Sequence, residues 1–434
     1  MKKNKTSILF TATLITALIT LGACSSKERS GEQTTKADSK SFFARTHTDT
    51  SKQAQLNIPY RSLNTSKVVN SFGFASCNDQ NQEQPFWPII LNQNPDLFLM
   101  MGDNVYASAK SDKPIVDQYI KLNKNTDYRN VREKIPFLAI WDDHDYGQND
   151  GGGDNPEKEE ARKVFLNYWG YLKPSLPKEQ KALYHSRIVG NKKQHVQFIM
   201  LDTRWDRSPL VKNPDYNPDL KPTLASSIDT SSALPASGDS TTITSTTAAS
   251  TSTSSTAGLA SSDKTATQAN PSVPKIYLPT TDTKTRLLSE EQWKWLEAEL
   301  KKPAELRILV SSIQVIANDH YFEKWGNFPH ERTRLFNLLQ KNRIKNLVIL
   351  SGDRHLAAIA KIKNGAMGDL YDITSSALNR PSRATTPEVD ATYTSPSFLN
   401  LNYGLATINW ATRSATFEIR DTQNKVQLSQ VVKF

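Results

Sequence analysis

The amino-acid sequence predicts an α/β fold in which a β-sandwich is flanked by helices. Short apolar runs alternate with amphipathic segments between about residues 68 and 351, and this alternation is typical of a layered α/β domain. After residue 353 the sequence is punctuated by glycine and alternates between apolar and polar positions, which indicates a β meander. Together these patterns favour packed sheets with helices outside them.

The individual elements follow from the lengths and periods of the apolar runs. Buried strands are predicted over residues 68–76, 97–101, 137–141, 196–201, 307–315 and 347–351. Helices are predicted over residues 117–122, 157–169, 290–300 and 331–341. Ser289 stands at the N-cap position of the third helix, before a first turn rich in carboxylates. The meander is predicted over residues 404–410, 415–419 and 426–432.

The first residues predict export from the cytoplasm. Lys2, Lys3 and Lys5 precede an uncharged run over residues 8–21, which is the order of basic and apolar regions in a secretory signal. A transmembrane anchor is the alternative, but it needs about 20 apolar residues. This run is shorter and is diluted by threonine.

The run ends in Leu-Gly-Ala-Cys24, which resembles the bacterial lipobox. The resemblance implies that Cys24 is acylated and anchors the chain to a membrane, and Ser25 after it favours the outer membrane or its periplasmic face. A signal cut at an ordinary small-residue site is the alternative. We therefore expect an exported, membrane-anchored lipoprotein.

The chain divides into a lipoprotein signal peptide over residues 1–23, a polar tether over 24–66 and one folded domain over 67–434. A block of Ser, Thr and Ala at about residues 223–272 interrupts that domain. Such a composition buries too little apolar surface to offset the entropy of ordering. We expect this insertion to be disordered.

Charge and cysteine content narrow the function. The formal net charge is +10, but Lys and Arg are scattered along the sequence, so anionic substrates are compatible and a nucleic-acid-binding role is not predicted. The chain has two cysteines. If Cys24 carries lipid, Cys77 is left as a reactive thiol, a metal ligand or a buried apolar residue.

Four clusters of polar residues follow predicted strands, at residues 76–78, 102–106, 141–145 and 352–355. Each alone has an ordinary explanation as turn chemistry or core packing. Their repetition is harder to explain in this way, because the carboxyl ends of strands are where α/β folds place their sites. Converging Asp, His, Cys and Tyr side chains are the ligand set of a metal site.

The order of these motifs, S-C-N, M-G-D-N-V-Y, I-W-D-D-H-D-Y-G-Q-N-D, L-D-T-R, F-P-H-E-R and S-G-D-R-H, resembles the PhoD-like alkaline phosphatase family within the calcineurin-like metallophosphoesterases. The resemblance runs from about residue 68 onward, outside the Ser/Thr block. It implies a metallophosphoesterase-type sandwich and a phosphoric ester hydrolase, either an alkaline phosphatase or a phosphodiesterase. It also implies metal-assisted hydrolysis in which a metal-bound hydroxide attacks phosphorus.

The resemblance also implies site residues. Asp103 corresponds to a carboxylate that bridges two metals, and Cys77 and Tyr106 correspond to ligands of a ferric ion. The further ligands it implies are Asp143, Asn149, Asp353 and His355. The expected cofactors are Fe³⁺ and Ca²⁺, with other divalent metals possible.

His144 and Arg354 are the candidate catalytic residues. His144 directly follows a ligand carboxylate, where it can stabilise charge on the leaving oxygen or protonate it. The fork of Arg354 could meet phosphate oxygens, although it stands between two ligands. Asp202 and Arg204 are predicted to form a buried ion pair that braces the sheet.

Two questions stay open at this point. The substrate is a phosphate monoester or a diester, and the motifs do not separate the two. A different hypothesis is a surface adhesin or metal-binding lipoprotein without catalytic activity, which the tether and the Ser/Thr block would suit.

Overall fold

The computed structural model describes residues 50–107, 114–216 and 275–434. The predicted signal peptide, Cys24, the tether up to residue 49 and the Ser/Thr insertion lie outside the described residues. Within the described ranges no helix is long and apolar enough to cross a membrane.

The helices and strands are as follows. The helices are α1 Thr50–Leu56, α2 Phe86–Gln93, α3 Ile115–Leu122, α4 Thr126–Lys134, α5 Lys158–Tyr168, α6 Glu290–Leu300 and α7 Pro329–Lys341. The strands are β1 Ser71–Ala75, β2 Leu97–Met101, β3 Phe137–Ile140, β4 His185–Val189, β5 Val196–Met200, β6 Val211–Lys212, β7 Tyr277–Leu278, β8 Leu306–Ser311, β9 Leu347–Ser351, β10 Ala357–Lys363, β11 Asp369–Ser375, β12 Tyr403–Asn409, β13 Ser414–Arg420 and β14 Val426–Lys433.

Two six-stranded mixed sheets make up the core of the fold. The first has the order β14-β13-β12-β1-β2-β3, in which β1, β2 and β3 are parallel and the meander strands are antiparallel. The second has the order β10-β11-β9-β8-β5-β4, with the strands from β11 to β5 parallel. A two-stranded ribbon pairs β6 with β7. The predicted fold class is confirmed.

Each sheet packs on both of its faces, because successive side chains of a strand point to opposite sides of the sheet. In β5, Phe198 packs into the core between the sheets, whereas its neighbour Ile199 packs into the second core beneath the helices. The Phe198 ring meets that of Phe72 from the first sheet edge to face, with ring centroids 5.3 Å apart. Both faces of the central strands are therefore buried, which explains their uninterrupted apolar runs.

Helices cover the outer faces. On the first sheet, Phe98 points away from the sandwich, because it pairs in register with Gly73 while Phe72 and Phe74 point inward. Its ring contacts Trp87 of α2, with centroids 6.1 Å apart. Gly73 is needed there, since a Cβ would lie 2.4 Å from the Phe98 ring. On the second sheet, α6 and α7 pack their apolar faces on β5, β8 and β9.

Helix α1 lies in the segment expected to be the end of the tether, and it is packed against the domain. Leu56 of α1 is 1% exposed and belongs to the main core. The Asn123 amide donates to the carbonyls of Gln55 and Leu56 at 2.8 and 3.2 Å, and Arg61 N donates to Arg132 O at 2.7 Å. These contacts dock helix α1 on the domain, whereas most residues from 57 to 66 are exposed.

Candidate metal centre

The predicted polar clusters come together at one end of the sandwich. Parallel strands β1, β2 and β3 deliver Cys77, Asp103 and Asp143 from the first sheet, and the turn after β9 delivers Asp353 and His355 from the second. Neighbouring turns are tied by their backbones, with Cys77 N donating to Gly102 O at 3.4 Å. The site is therefore built by both sheets at their carboxyl-end loops.

The backbone at these turns is unusual. Cys77, Asp103, Asp353 and His355 have φ angles of 62°, 49°, 70° and 55°, in the left-handed region that non-glycine residues rarely adopt. Each such residue costs on the order of 1 kcal/mol, and such strain clusters at functional sites. The sharp turns aim four predicted ligands away from their strands.

The ligand atoms of Cys77, Asp103 and His355 lie within 4.8 Å of one another, as do those of Asp103, Asp143 and His144. Cys77 Sγ is 3.7 Å from Asp103 Oδ2, and the Tyr106 hydroxyl is 2.9 Å from His355 Nε2. Asp103 thus belongs to two adjoining groups, which is the arrangement expected of a carboxylate shared by two metals. A third group joins Asp142, Asp143 and Asp353.

The electrostatics of the site fit the binding of cations. Burial and then neighbouring carboxylates raise the pKa values of Asp103 and Asp353 well above their usual range. Burial also raises the pKa of Asp142 to about 7, despite the opposing charge of Arg204. Asp143 Oδ1 is buried without a hydrogen-bond partner. Buried carboxylates need a positive charge to stay ionised, so the residues present fit metal ions.

A bound metal would change the protonation of Cys77 and Tyr106, whereas His355 is already neutral. Burial and then Asp103 raise the pKa values of the Cys77 thiol and the Tyr106 phenol. A bound cation reverses this effect and favours thiolate and phenolate. Burial lowers the pKa of His355 to about 3, which keeps its imidazole neutral and suited to binding a metal.

Asp143 behaves differently from its neighbours. Burial alone would raise its pKa, but the charges of His144 and Arg204 and the backbone N–H of Asp150 lower it below the ordinary value. The Asp150 N–H donates to Asp143 Oδ2 at 2.7 Å. This hydrogen bond orients the Asp143 carboxylate.

His144 lies within the second group of possible ligand atoms, next to Asp103 and Asp143. Its backbone N–H donates to Asp103 Oδ1 at 3.3 Å, and its ring lies 4.2 Å from the Tyr106 ring between centroids. Burial lowers its pKa below 6.5, so the imidazole is neutral at alkaline pH. Its catalytic role stays a prediction.

Arg204 does not pair with Asp202, which corrects that prediction. Its Nε donates to Asp142 Oδ1 at 2.6 Å and its Nη1 donates to Glu323 Oε2 at 2.7 Å. Asp202 instead accepts backbone N–H groups, including those of Arg204 and Trp205 at 3.0 Å. Arg204 therefore supports the acidic loop after β3, which carries Asp142 and Asp143, rather than the sheet.

Two predicted site residues are not placed as expected. The Arg354 guanidinium is paired with Glu388 and lies 4.2 Å above the Phe322 ring, and its side chain is 3% exposed. Asn149 is exposed and its amide donates to Asp150 Oδ2 at 2.8 Å. Adjacent residues point in different directions, which explains why Arg354 does not follow its ligand neighbours.

Asp145 and Arg380 also lie at the site, although neither was predicted as a site residue. Asp145 accepts the backbone N–H groups of Asn104 and Asp142 at 3.0 Å and the Tyr119 hydroxyl at 2.7 Å, so it joins the turns after β2 and β3. Its place in the W-D-D-H-D motif was the available signal. Arg380 lies over the Tyr106 ring, and no sequence pattern marked it.

The clustered ligand atoms, together with the match to a family model, define the protein's class as a metal-binding hydrolase of phosphate esters. The chain belongs to the PhoD-like phosphatase family, whose family model matches residues 116–403. The resemblance found in the motifs is confirmed.

Solved structures similar to this chain include two phosphatases, of which the first supports the fold. One is described as the structure of PhoD and has a TM-score of 0.56 at 16% identity. The match covers 86% of this chain and 70% of the chain in that structure. Another, a dimetal phosphatase from Danio rerio, has a TM-score of 0.46 at 11% identity over 85% of this chain and 99% of its own. A search of curated proteins gave no match.

Proposed function

We propose that the protein hydrolyses phosphate esters outside the cytoplasm at a centre of two or more metals. The observation that carries this proposal is the position of Asp103, whose carboxylate belongs to two adjoining groups of ligand atoms. Two cations held by one carboxylate can clamp a phosphoryl group between them. Whether the substrate is a monoester or a diester is a separate question.

The ligand chemistry supports a division of metals. Cys77, Tyr106 and His355 offer thiolate, phenolate and imidazole, a set suited to Fe³⁺, whereas Asp143 and Asp353 offer the oxygen ligands that Ca²⁺ takes. Bound at this site, the metals would withdraw charge from phosphoryl oxygens and acidify a coordinated water.

The chain's own residues orient the reaction. The neutral His144 imidazole carries an N–H that can donate to the leaving oxygen as charge develops there. Arg204 holds Asp142, and the Asp150 N–H holds Asp143, so the acidic loop keeps its shape while substrate binds. A metal site needs such support to keep its ligands in place.

The experiment uses a chain of residues 25–434, with bound metals measured alongside hydrolysis of an aryl phosphate monoester and a matched diester at alkaline pH. We expect iron and calcium, visible absorption from thiolate or phenolate on iron, and cleavage of at least one ester. Asp103→Asn should lose metal and activity together. His144→Ala should keep its metals and lose activity by roughly 10²- to 10⁴-fold, the usual contribution of a general acid or base.

One result would contradict the proposed catalytic function. If the metal-loaded protein cleaves neither ester and His144→Ala changes nothing, the catalytic proposal is wrong. A surface metal-binding lipoprotein or adhesin then becomes the better account.

Localisation is part of the same proposal. The basic and apolar regions of residues 1–23 and the lipobox-like Cys24 support export and anchorage by lipid. In cells expressing the full chain, the protein should partition with membranes and incorporate labelled fatty acid. Cys24→Ser should abolish the label and release the protein. Unchanged labelling of that variant would exclude Cys24 as the anchor.

A further inference from the structure

Arg380 lies beside the metal centre on a segment that runs next to a ligand. After β11 the chain passes along the turn that follows β1, with Leu378 N donating to Ser76 O at 3.2 Å and Asn379 N donating to Cys77 O at 3.4 Å. The position of Arg380 is therefore fixed relative to Cys77 by the backbone itself.

Two contacts hold the Arg380 side chain. Its guanidinium carbon lies 4.0 Å from the centroid of the Tyr106 ring, and Nη1 donates to Asp79 Oδ2 at 2.7 Å. The Asp79 side chain is 5% exposed, whereas that of Arg380 is 39% exposed. A guanidinium has five N–H donors, so donors remain open to solvent after one binds Asp79.

Asp79, which binds Arg380, is itself held by two hydrogen bonds to Asn379. Asn379 Oδ1 accepts the backbone N–H of Asp79 at 2.6 Å, and Asn379 Nδ2 donates to the Asp79 carbonyl at 2.7 Å. Arg380 is therefore held in position in the absence of substrate, which reduces the entropy lost when it binds one.

Two other arginines lie near the candidate ligands, but neither is accessible. Arg204 is fully buried between Asp142 and Glu323, and Arg354 is 3% exposed and paired with Glu388. Of these three arginines, Arg380 is the one with an accessible guanidinium.

We propose that Arg380 binds a non-bridging oxygen of the substrate's phosphoryl group and makes the enzyme prefer phosphate monoesters to diesters. This inference rests on the proposed function. A monoester dianion offers three non-bridging oxygens and two charges, whereas a diester offers two oxygens and one charge. An arginine at the rim of the metal site therefore gains more from the monoester.

A purely structural role makes a different prediction. If Arg380 only braced Asp79 and Tyr106, its loss would disturb the turn that carries Cys77, and both esters would suffer alike together with metal content. The ratio of the two activities separates these roles.

The experiment compares kcat/KM for an aryl phosphate monoester and a matched diester in wild type, Arg380→Ala and Arg383→Ala. Arg383 is an exposed arginine three positions further along and serves as the matched control. For Arg380→Ala we expect monoester kcat/KM to fall by roughly 10- to 100-fold, the range for a lost charge-assisted hydrogen bond. The diester value should fall by less than about 3-fold, with metal content unchanged.

A binding measurement makes the test independent of turnover. Calorimetric titration of the metal-loaded proteins with inorganic phosphate should show affinity lowered by roughly 10-fold or more in Arg380→Ala, and unchanged in Arg383→Ala. If wild type cleaves neither ester, the proposed function fails, yet this titration still tests the phosphate contact.

Three results would overturn the inference: unchanged phosphate affinity in Arg380→Ala, equal losses for both esters, or a wild type that prefers the diester. Asp79→Asn provides a second variant, because it keeps the arginine and removes its charged anchor. We expect it to lower the ratio of monoester to diester activity in the same direction as Arg380→Ala, though less.

Discussion

At the scale of the residue, the site depends on a few backbone positions with positive φ. Gly102 has φ of +106°, and it leads directly into Asp103, whose φ is +49°. A Cβ at position 102 would lie 2.5 Å from Asp142 Cβ. Glycine is therefore required here both by its backbone angle and by the closeness of the next turn.

We expect Gly102→Ala to destabilise the protein by about 1–3 kcal/mol, because it adds strain and a steric clash. It should also weaken metal binding, since Asp103 would shift. Gly170→Ala is the control, because its nearest neighbour would be an ordinary 4.0 Å away. Urea unfolding and bound-metal analysis provide the readouts. Equal unfolding midpoints for the two variants would contradict this account.

The sequence predicted which candidate ligands come together better than it predicted the residues around them. Cys77, Asp103 and His355 follow strand ends, so a pattern of strand followed by ligand finds them, and the structure brings them within 4.8 Å. Arg380 reaches the site from a loop without such a pattern. The direction of Arg354 could not be predicted, because its Glu388 partner belongs to a distant irregular segment.

At the scale of the element, strands buried on both faces were the easiest to predict. Strands β2 and β9 have the predicted bounds, because uninterrupted apolar runs end sharply at turn residues. Helix α2 was missed because Phe86–Gln93 is apolar almost throughout and has little period to detect. Helix α4 was missed because it is mostly polar, although Asn125 caps it by accepting the Tyr128 N–H at 2.9 Å.

Helix α1 is the element whose role can be tested by shortening the chain. A protein that starts at residue 67 loses the buried Leu56 and the hydrogen bonds of Asn123. We expect its free energy of unfolding to fall by roughly 3 kcal/mol, from one buried leucine and about two hydrogen bonds. Chemical denaturation measures this change.

The matched control starts at residue 49, where the compact unit containing the sandwich begins. It should unfold at the same denaturant concentration as a chain starting at residue 25. If both shortened proteins are equally stable, α1 contributes nothing and residues 50–66 behave as the tether first expected.

At the scale of the whole molecule, the buried acidic centre links stability to pH. Burial raises the pKa values of Asp103 and Asp353 well above the usual range and that of Asp150 to about 7. Without metal these groups keep protons that the unfolded chain has released. A carboxyl with a raised folded pKa stabilises the fold below its unfolded pKa, and this contribution is lost as pH rises through the folded value.

We therefore expect the melting temperature of the metal-free protein to fall, relative to the loaded protein, as pH rises from about 6.5 to 9. Metal binding releases the protons in question, so the gap between the two forms should widen over this range. Calorimetry of chelated and reloaded samples measures it. A gap that stays constant or narrows would contradict the prediction.

Comparing the metal-free protein with the metal-loaded protein cancels the effect of groups that titrate alike in both. Burial lowers the pKa of Lys324 to about 7, so this lysine makes the fold more stable as pH rises, but it does so with or without metal. Burial lowers the pKa values of His185 and His355 to about 3. In the unfolded chain these histidines titrate near 6.5, at the lower edge of the range.

Because both sheets supply the site, its ligands are far apart along the chain. Tyr106 and His355, whose side chains touch, are separated by 249 positions. The centre can therefore form only after the chain has been synthesised at least as far as His355. Metal is therefore acquired in whichever compartment folding is completed, and the supply there decides which ions the enzyme carries.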